Sequence, residues 1–596
     1  MKILPLQRWL LASVVVALAT ASGACVQQTE QQPQPGGASA SKSEPARERV
    51  PGTRGGSLSY RTSVPPKTLN ALMFTDEPSF TVSFFLLGAR LVDFDHDAQR
   101  FIPALAEVWQ LAPDGKTLEL TLRDGLKFSD GHPLTSEDVV FTFRAIYDER
   151  VGSILRTTLT IGGRQIEVTP LDARRLRLVF PEPVAVPETY LVNVAILPRH
   201  VLEESLQKGK FGSEAYSITS DPRTVVTAGA FTVESVTPGE RIALQRNPNY
   251  WKRDAAGTQL PYLDKLVVEV VGDANAAVAR LGEGGLDIVD RIRPSDYAGL
   301  HNQQGAVRAY DLGPGLSTDH LWFNLNEGGQ NGKPYVAPEK YAWFADVRFR
   351  RAVAHAIDRQ SIASATLQGL ATPLHGFVTT GNRAWFMDDL PRTGYDLTRA
   401  RALLSEAGFV VRGTPDAPEL FDAKGNRVEF TLLVQSSNEE RKAEAAVVQE
   451  DLARLGIRMQ VAPLETGEVM RRITGSLDYE AALFGTIVSD TDPSSYSNFL
   501  KSTSEGHQWR PKQAKPATDW EARIDGLVAD LSREPNMERR RAIFRDIQLV
   551  FLEHQPVVPI VARHIVVAAH TRVGNYRPSV VVPYSMWNAD ELFVKK

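Results

Sequence analysis

Residues 428–461 read VEFTLLVQSSNEERKAEAAVVQEDLARLGIRMQV. Val428, Phe430, Leu432 and Val434 recur at the two-residue period of a half-buried strand. Ala445, Val448, Leu452 and Leu455 then recur at the spacing of one helical face, and Gly456 stops that helix. Ile457, Met459 and Val461 alternate again. Strand, helix and strand in this order predict a βαβ crossover, which needs two parallel strands in an α/β layer.

Outward from this unit the same rules apply. Asp396 reads as an N-cap, Leu397, Ala400 and Leu404 share one helical face, and Gly408 is the stop. Earlier in the chain Leu118, Leu120 and Leu122 alternate with Thr117, Glu119 and Thr121. Asp124-Gly125 then predicts a hairpin turn into Leu126 and Phe128. Thr135-Ser136-Glu137-Asp138 resembles a capping box, with Val139, Val140, Phe143 and Ile146 following at helical spacing. A strand-rich first half and an α/β second half, in a chain of 596 residues, predict more than one packed unit, with two lobes as the expected arrangement.

The N-terminus reads as an export signal over residues 1–24, with Lys2 and Arg8 before an apolar run from Trp9 to Thr20 that is too short to span a bilayer. Ser22-Gly23-Ala24 precede Cys25, the only cysteine, in the manner of a bacterial lipoprotein cleavage box. The expectation is a lipid on Cys25, followed by a flexible linker over residues 25–51 that is rich in Gln, Pro, Ser and Gly. One cysteine excludes an intrachain disulfide and a Cys-ligated metal site. A formal charge of −4 supplies no electrostatic reason to bind nucleic acid.

The motifs of the common enzyme classes are missing. There is no G-x-S-x-G elbow, Walker A loop, dinucleotide fingerprint or H-E-x-x-H pair. His564 and His570 stand six apart on an apolar run, which is wrong for helical metal ligation. Asp93-Phe94-Asp95-His96-Asp97 begins like a calcium loop, but Ala98 stands where the turn needs Gly and Ala104 where a bidentate Glu is required. Arg539-Arg540-Arg541, on a helix with Ile543, Ile547 and Phe551 on its apolar face, reads as a solvated surface. No catalytic residue, metal or cofactor is expected.

A series of blocks resembles, in order along nearly the whole mature chain, the peptide/nickel-type (family 5) extracellular solute-binding proteins of ABC importers. They are PALAEVW at 103–109, PDGK at 113–116, LRDGLKFSDG at 122–131, LTSEDV at 134–139, GAF at 229–231, PGE at 238–240, RNPNYW at 246–251, Phe323-Asn324, and RFRRAVAHAIDR at 348–359. The resemblance implies an α/β two-lobe clamp of the large type II periplasmic-binding-protein form, with an extra subdomain inserted in the first lobe. It puts lobe I at residues 52–85, 196–315 and 557–596, the subdomain at 86–195 and lobe II at 316–556. Chain crossings near 315 and 557 then form the hinge, and a ligand buried between the lobes favours the closed state.

In the peptide-binding members, the resemblance further implies, a Gly-Trp-x-x-Asp-x-x-Asp-Pro stretch sets an aspartate against the peptide amine. Here it reads Gly485-Thr486-Ile487-Val488-Ser489-Asp490-Thr491-Asp492-Pro493. Thr486 replaces the tryptophan and Ser489 the aspartate, while Asp490 follows one position late. Asp490 and Asp492 also fit a turn-capping role before Pro493. Trp322 and Asn324, on the strand leaving the hinge, and Arg383, in the loop after Gly376, complete the expected ligand contacts. The resulting expectation is a monomeric, membrane-anchored extracytoplasmic protein that hands peptides or peptide-like solutes to importer permease subunits. A nickel chelate, sugar or other amine is the alternative ligand; an extracytoplasmic hydrolase or folding factor is the alternative class.

Overall fold

The strand Val557–His570 (VVPIVARHIVVAAH) organises the molecule, because its two ends serve different neighbours. Residues 557–561 pair antiparallel with the strand Thr318–Phe323. Beyond Ile565 the same strand pairs with Val307–Pro314 and with Ile288–Asp290. Both faces of its first six residues are buried, which accounts for an uninterrupted apolar run where a half-exposed strand alternates. This structure, a computed structural model, describes residues 49–302, 305–486, 488 and 490–595. The expected signal segment, Cys25 and most of the expected linker lie outside the described residues.

On one side of this strand the sheet continues through Ile288–Asp290, Ser57–Thr62, Lys265–Val270, Arg241–Arg246 and Phe231–Thr237. On the other it continues through Thr318–Phe323, Ala481–Thr486, Glu429–Gln435 and Arg458–Leu464. The apolar core divides accordingly. Val557, Val558, Ile560 and Val561 join a cluster with Phe323, Phe349, Phe430 and Phe551, whereas Val567 and Ala569 join one with Leu58, Leu120, Phe231 and Leu266. This is the two-lobe α/β architecture expected from the sequence.

The crossover unit forms as its pattern requires. Glu429–Gln435 and Arg458–Leu464 are parallel, with Phe430 opposite Met459, and the helix Glu439–Ala453 connects them. Asn438 caps that helix by accepting from the Arg441 amide at 2.9 Å. Gly456 has φ +83°, and a β-carbon there would lie 2.7 Å from the Leu420 nitrogen, so glycine is required by both conformation and space. The helix Leu397–Glu406 is likewise capped by Asp396 and stopped at Gly408, whose φ is +86°.

Two local expectations need correction. Thr117–Leu122 does pair into an antiparallel sheet, but with Ala106–Leu111 and Arg175–Val179. Both its edges are thereby taken, so the Asp124-Gly125 turn leads out of the sheet. Leu126 and Phe128 are buried without forming the predicted second hairpin arm. The helix Ser136–Tyr147 starts where expected, with the Thr135 amide donating to Asp138 Oδ2 at 2.9 Å.

The arginine run is not uniformly solvated. Arg539 and Arg541 are exposed on the helix Met537–His554, but Arg540 is 2% exposed. It donates to both carboxylate oxygens of Asp492 at 3.0 Å and lies over the Trp385 ring. A helix turns each successive side chain by about 100°, so one of three adjacent arginines faced inward. Among the described residues, no helix is long and apolar enough to cross a membrane.

Candidate ligand-binding site

Where the chain crosses between the lobes, a cavity of about 340 Å³ is lined by Thr318, Asp319, Arg441, Thr486, Arg563 and Arg291, among others. Its wall is an ion network. Arg563 donates from Nε to Asp319 Oδ2 at 2.7 Å and from Nη2 to Glu444 Oε1 at 2.7 Å, and it also contacts Glu440. Arg441 donates to Asp319 Oδ1 from Nε at 3.1 Å. These five groups come from the hinge strand, the neighbouring strand and the first turns of the crossover helix, which the fold brings to one point.

Burial pushes the Asp319 carboxyl up, but the Arg563 and Arg441 guanidiniums outweigh it and hold it below the usual carboxylate range. Glu444, fully buried in the same network, goes the opposite way: burial and the adjacent Asp319 charge raise it well above the ordinary glutamate value. Gly485 makes room for the network, since a β-carbon there would sit 2.8 Å from Arg441 Nη2 and 3.3 Å from Asp319 Oδ1. The lining also includes Arg291, which pairs with Glu77 at 3.1 Å, and Arg293, which pairs with Asp296 at 2.6 Å. The cavity thus presents both signs of charge.

A second cavity, of about 400 Å³, shares Gly485 and Thr486 with the first. Trp322, Ile473, Phe484, Val488, Tyr496 and Phe499 supply much of its lining. Thr486 stands at the junction, opposite Thr318 in register. Its Oγ1 accepts from Gln508 Nε2 at 2.9 Å and lies 3.3 Å from His320 Nδ1. His320 is fully buried, and that burial pushes its imidazole down to about 4, so it is neutral at physiological pH.

The other residues singled out from the sequence are distributed as follows. Trp322 is 1% exposed, donates from Nε1 to Tyr479 Oη at 3.2 Å, and lines the second cavity. Asn324 is fully buried and donates through Nδ2 to the Leu477 and Tyr479 carbonyls, both at 2.9 Å, which holds the turn at Leu477. Asp490 Oδ1 accepts from the Asp492 amide at 2.8 Å, the turn-capping geometry expected before Pro493, and Asp492 Oδ1 in turn accepts from the Ser494 amide at 2.9 Å. Neither of the two cavities includes Asp490 in its lining. Ser489 lies outside the described residues.

Arg383 is placed elsewhere, at a contact between residues 97–99 and 380–383. Its amide donates to Gln99 Oε1 at 3.1 Å, its guanidinium donates to the Asp97 carbonyl, and Gln99 Nε2 donates to the Gly381 carbonyl at 2.8 Å. His564, read as structural, lies with Nδ1 2.8 Å from Asp311 Oδ1 and Nε2 2.9 Å from Thr372 Oγ1. Among the described residues, no group of three His, Cys, Asp or Glu side chains is placed to hold a metal ion.

Sequence reasoning missed Asp319, Glu440, Arg441, Glu444 and Arg563. The one legible signal was Arg563, a cation inside an otherwise apolar strand, because a charge in such a run needs partners from elsewhere in the fold.

Known proteins match this architecture along most of the chain. A probable ABC transporter-binding protein of Deinococcus radiodurans is 27% identical over 550 residues, covering 88% of this chain and 90% of the relative. The dipeptide-binding protein of Escherichia coli is 24% identical over 527 residues, covering 84% of this chain and 88% of its own length. The structure of the oligopeptide-binding protein AppA of Bacillus subtilis, in complex with a nonapeptide, superposes with a TM-score of 0.68 at 23% identity, covering 92% of this chain and all of that one. The description "Bacterial extracellular solute-binding proteins, family 5 Middle" matches residues 100–508, and with its two-lobe fold the chain belongs to that family of solute-binding proteins.

Proposed function

We propose that the protein is the substrate receptor of an ABC importer, capturing peptides or peptide-like solutes between its lobes without turning them over. The observation that carries this reading is the pair of adjoining cavities at Gly485 and Thr486, located where the chain passes between lobes. One is walled by charges of both signs, which suits the ends of a zwitterionic peptide, and the other combines Trp322, Ile473, Phe484 and Phe499 with the polar Thr474, Asn498, Glu505 and Gln508. The names of the relatives, a dipeptide-binding and an oligopeptide-binding protein, support the same class.

In this reading Thr486 and Trp322 contact the solute directly, and Asn324 supports the loop beneath it. Arg383 contributes by joining the lobes over it. Arg291 or Arg293 meets the ligand carboxylate. Two carboxylates are proposed to meet the ligand amine: Glu440, which contacts Arg563 in the cavity wall, and Asp490, two residues beyond the cavity-lining Val488. The lobe division is proposed as 52–85, 196–315 and 557–596 against 316–556, with the subdomain at 86–195 and the second crossing spread along residues 557–566. Export, lipidation of Cys25, a monomeric state and delivery to importer permease subunits at the outer face of a membrane belong to the same proposal.

The deciding experiment is mass spectrometry of solute co-purifying with native protein, paired with a thermal-shift screen of di- to pentapeptides. A bound peptide, released unchanged, is the expected result. Absence of both co-purified peptide and any peptide-dependent stabilisation overturns the peptide reading. Ser489 at the position of the amine-binding aspartate favours a second reading, a non-peptide ligand such as a metal chelate, sugar or amine, and the same mass spectrum identifies it.

A further inference from the structure

The charges that meet in the ion-lined wall do not balance. Asp319, Glu440 and Glu444 are three carboxylates set against two guanidiniums, those of Arg441 and Arg563. Glu444 lies deepest. It faces Asp319 from the strand Thr318–Phe323 and Arg563 from the strand Val557–His570, and on its own helix it is joined by Arg441 and, through Arg563, by Glu440. His320, next to Asp319, is neutral above about pH 4 and adds no charge. Arg563 Nη2 donates to Glu444 Oε1 at 2.7 Å, but among the described residues no donor reaches Oε2, which is buried. The Glu444 carboxyl also stands within hydrogen-bond reach of Asp319. Two ionised carboxylates cannot share a hydrogen bond, because both only accept, so one proton lies between them. It belongs to Glu444, which burial and the Asp319 charge push up, while the two guanidiniums keep Asp319 ionised. That proton supplies the missing donor and brings the buried set to zero net charge, the state that burial favours.

The set meets the cavity unevenly. The Glu440 side chain is 38% exposed, against 24% for Arg563, 10% for Arg441 and 4% for Asp319, and Glu444 is fully buried. This wall therefore presents a carboxylate first, which attracts a cation. A cation docked on Glu440 leaves the set with one positive charge too many, and the proton behind it is the charge that can leave. We propose that the proton on Glu444 holds the place of a cationic group of the solute, an ammonium or guanidinium, and that binding expels it to water. Glu444 is protonated without the cation and ionised with it, so the buried set stays neutral in both states. Because binding releases a proton, affinity rises with pH. This deepens the receptor reading, on which it rests for the solute's cation but not for the proton on Glu444.

The test uses the full mature chain. In infrared spectroscopy at pH 7 without solute, the carbonyl stretch of a protonated carboxyl is expected in the wild type and absent from Glu444→Gln, whose amide donates to Asp319 where the proton did and so preserves the fold. Identical spectra overturn the proposal. Trialanine is expected to abolish the band, and N-acetyl-trialanine, which lacks the ammonium, to leave it. Propylamine offers a cation without peptide character: if it abolishes the band while trialanine does not bind, the peptide reading fails and the proton linkage stands. A band that persists with both cations overturns the linkage.

Titration calorimetry in buffers of different ionisation enthalpy, with whichever of the two cations binds, is expected to show about one proton released per solute and an affinity rising by up to about 10-fold per pH unit between roughly pH 5 and 7. Glu444→Gln is expected to flatten that slope, which separates Glu444 from Asp290 and His564 beside the same cavity. Glu440→Gln is expected to keep the band and no longer lose it to the cation. No proton release, or a slope unchanged in Glu444→Gln, overturns the proposal.

Discussion

Arg563 is the residue on which the candidate site depends. Its guanidinium is shared among Asp319, Glu440 and Glu444, and Asp319 is further held by Arg441. Removing one member of such a buried set leaves the others short of a partner, which costs more than the pair contributes when intact. Asp319→Ala is therefore expected to lower stability by about 3–5 kcal/mol in urea denaturation. A loss below about 1 kcal/mol would mean that water already shares the network.

A second residue, Asp290, stands beside the cavity-lining Arg291. Burial pushes its carboxyl up to about 7, opposed by hydrogen bonds from Ser585 and Tyr60, with Glu77 adding to the rise. Its folded value is above its unfolded one near 3.8, so its contribution is complete at low pH and is lost as pH rises from about 4 to 7. The difference in stability between wild type and Asp290→Asn is expected to change by on the order of 4 kcal/mol across that window, measured by denaturation at several pH values. A difference that is flat in pH would place the ordinary carboxylate value on Asp290.

At the scale of elements, the crossover unit delivers Arg441 and Glu444 to the hinge. The register of Glu429–Gln435 against Arg458–Leu464 and the capped start of the helix fix where those side chains fall. Gly456 is the weak point, since it combines a left-handed backbone with a close approach to the Leu420 nitrogen. Gly456→Ala is expected to cost about 1–3 kcal/mol, read from the denaturation midpoint, with solute affinity reduced only to the extent that the helix shifts. The helix Met537–His554 is tied in differently, by the Arg540 pair with Asp492 at the end of the motif that carries Thr486. A charged pair that looks like surface in the sequence thus anchors the loop beside the site.

At the scale of the molecule, residues 97–99 and 182–185 touch residues 381–383 and 532–533 away from the lining of both cavities. Gln99 joins Gly381 and the Arg383 amide, and elsewhere the Ala185 amide donates to the Ser532 carbonyl at 2.9 Å while Arg533 pairs with Glu182 at 3.3 Å. If 86–195 and 316–556 move apart as the proposed lobe division implies, these contacts are broken on opening. Gln99→Ala removes two hydrogen bonds worth about 1–3 kcal/mol together, which predicts a roughly 5- to 100-fold weaker apparent affinity with no change in either cavity. Calorimetry combined with small-angle scattering checks it: the variant should scatter as a more open molecule without solute and close at saturation.

How much of this was legible beforehand follows from the range of each interaction. Local periodicity and caps sufficed for the crossover unit, for the helices beginning after Asp396 and Thr135, and for the α/β class, because those features are decided within a dozen residues. The ordered blocks from residue 103 to 359 carried the family and its two lobes. What the chain could not disclose on its own was which partner a group would meet. The second hairpin arm after Asp124-Gly125 did not form because strands from residues 106–111 and 175–179 had already taken both edges. Arg540 turned inward because Asp492, 48 residues away, was waiting there. The candidate site depends on this most of all, since Asp319 and Arg563 are 244 residues apart and Arg441 is 122 from Asp319. Local sequence determined the elements and their ends; only tertiary structure decided the charged wall and the second cavity, because both are made of contacts between segments that nothing short-ranged brings together.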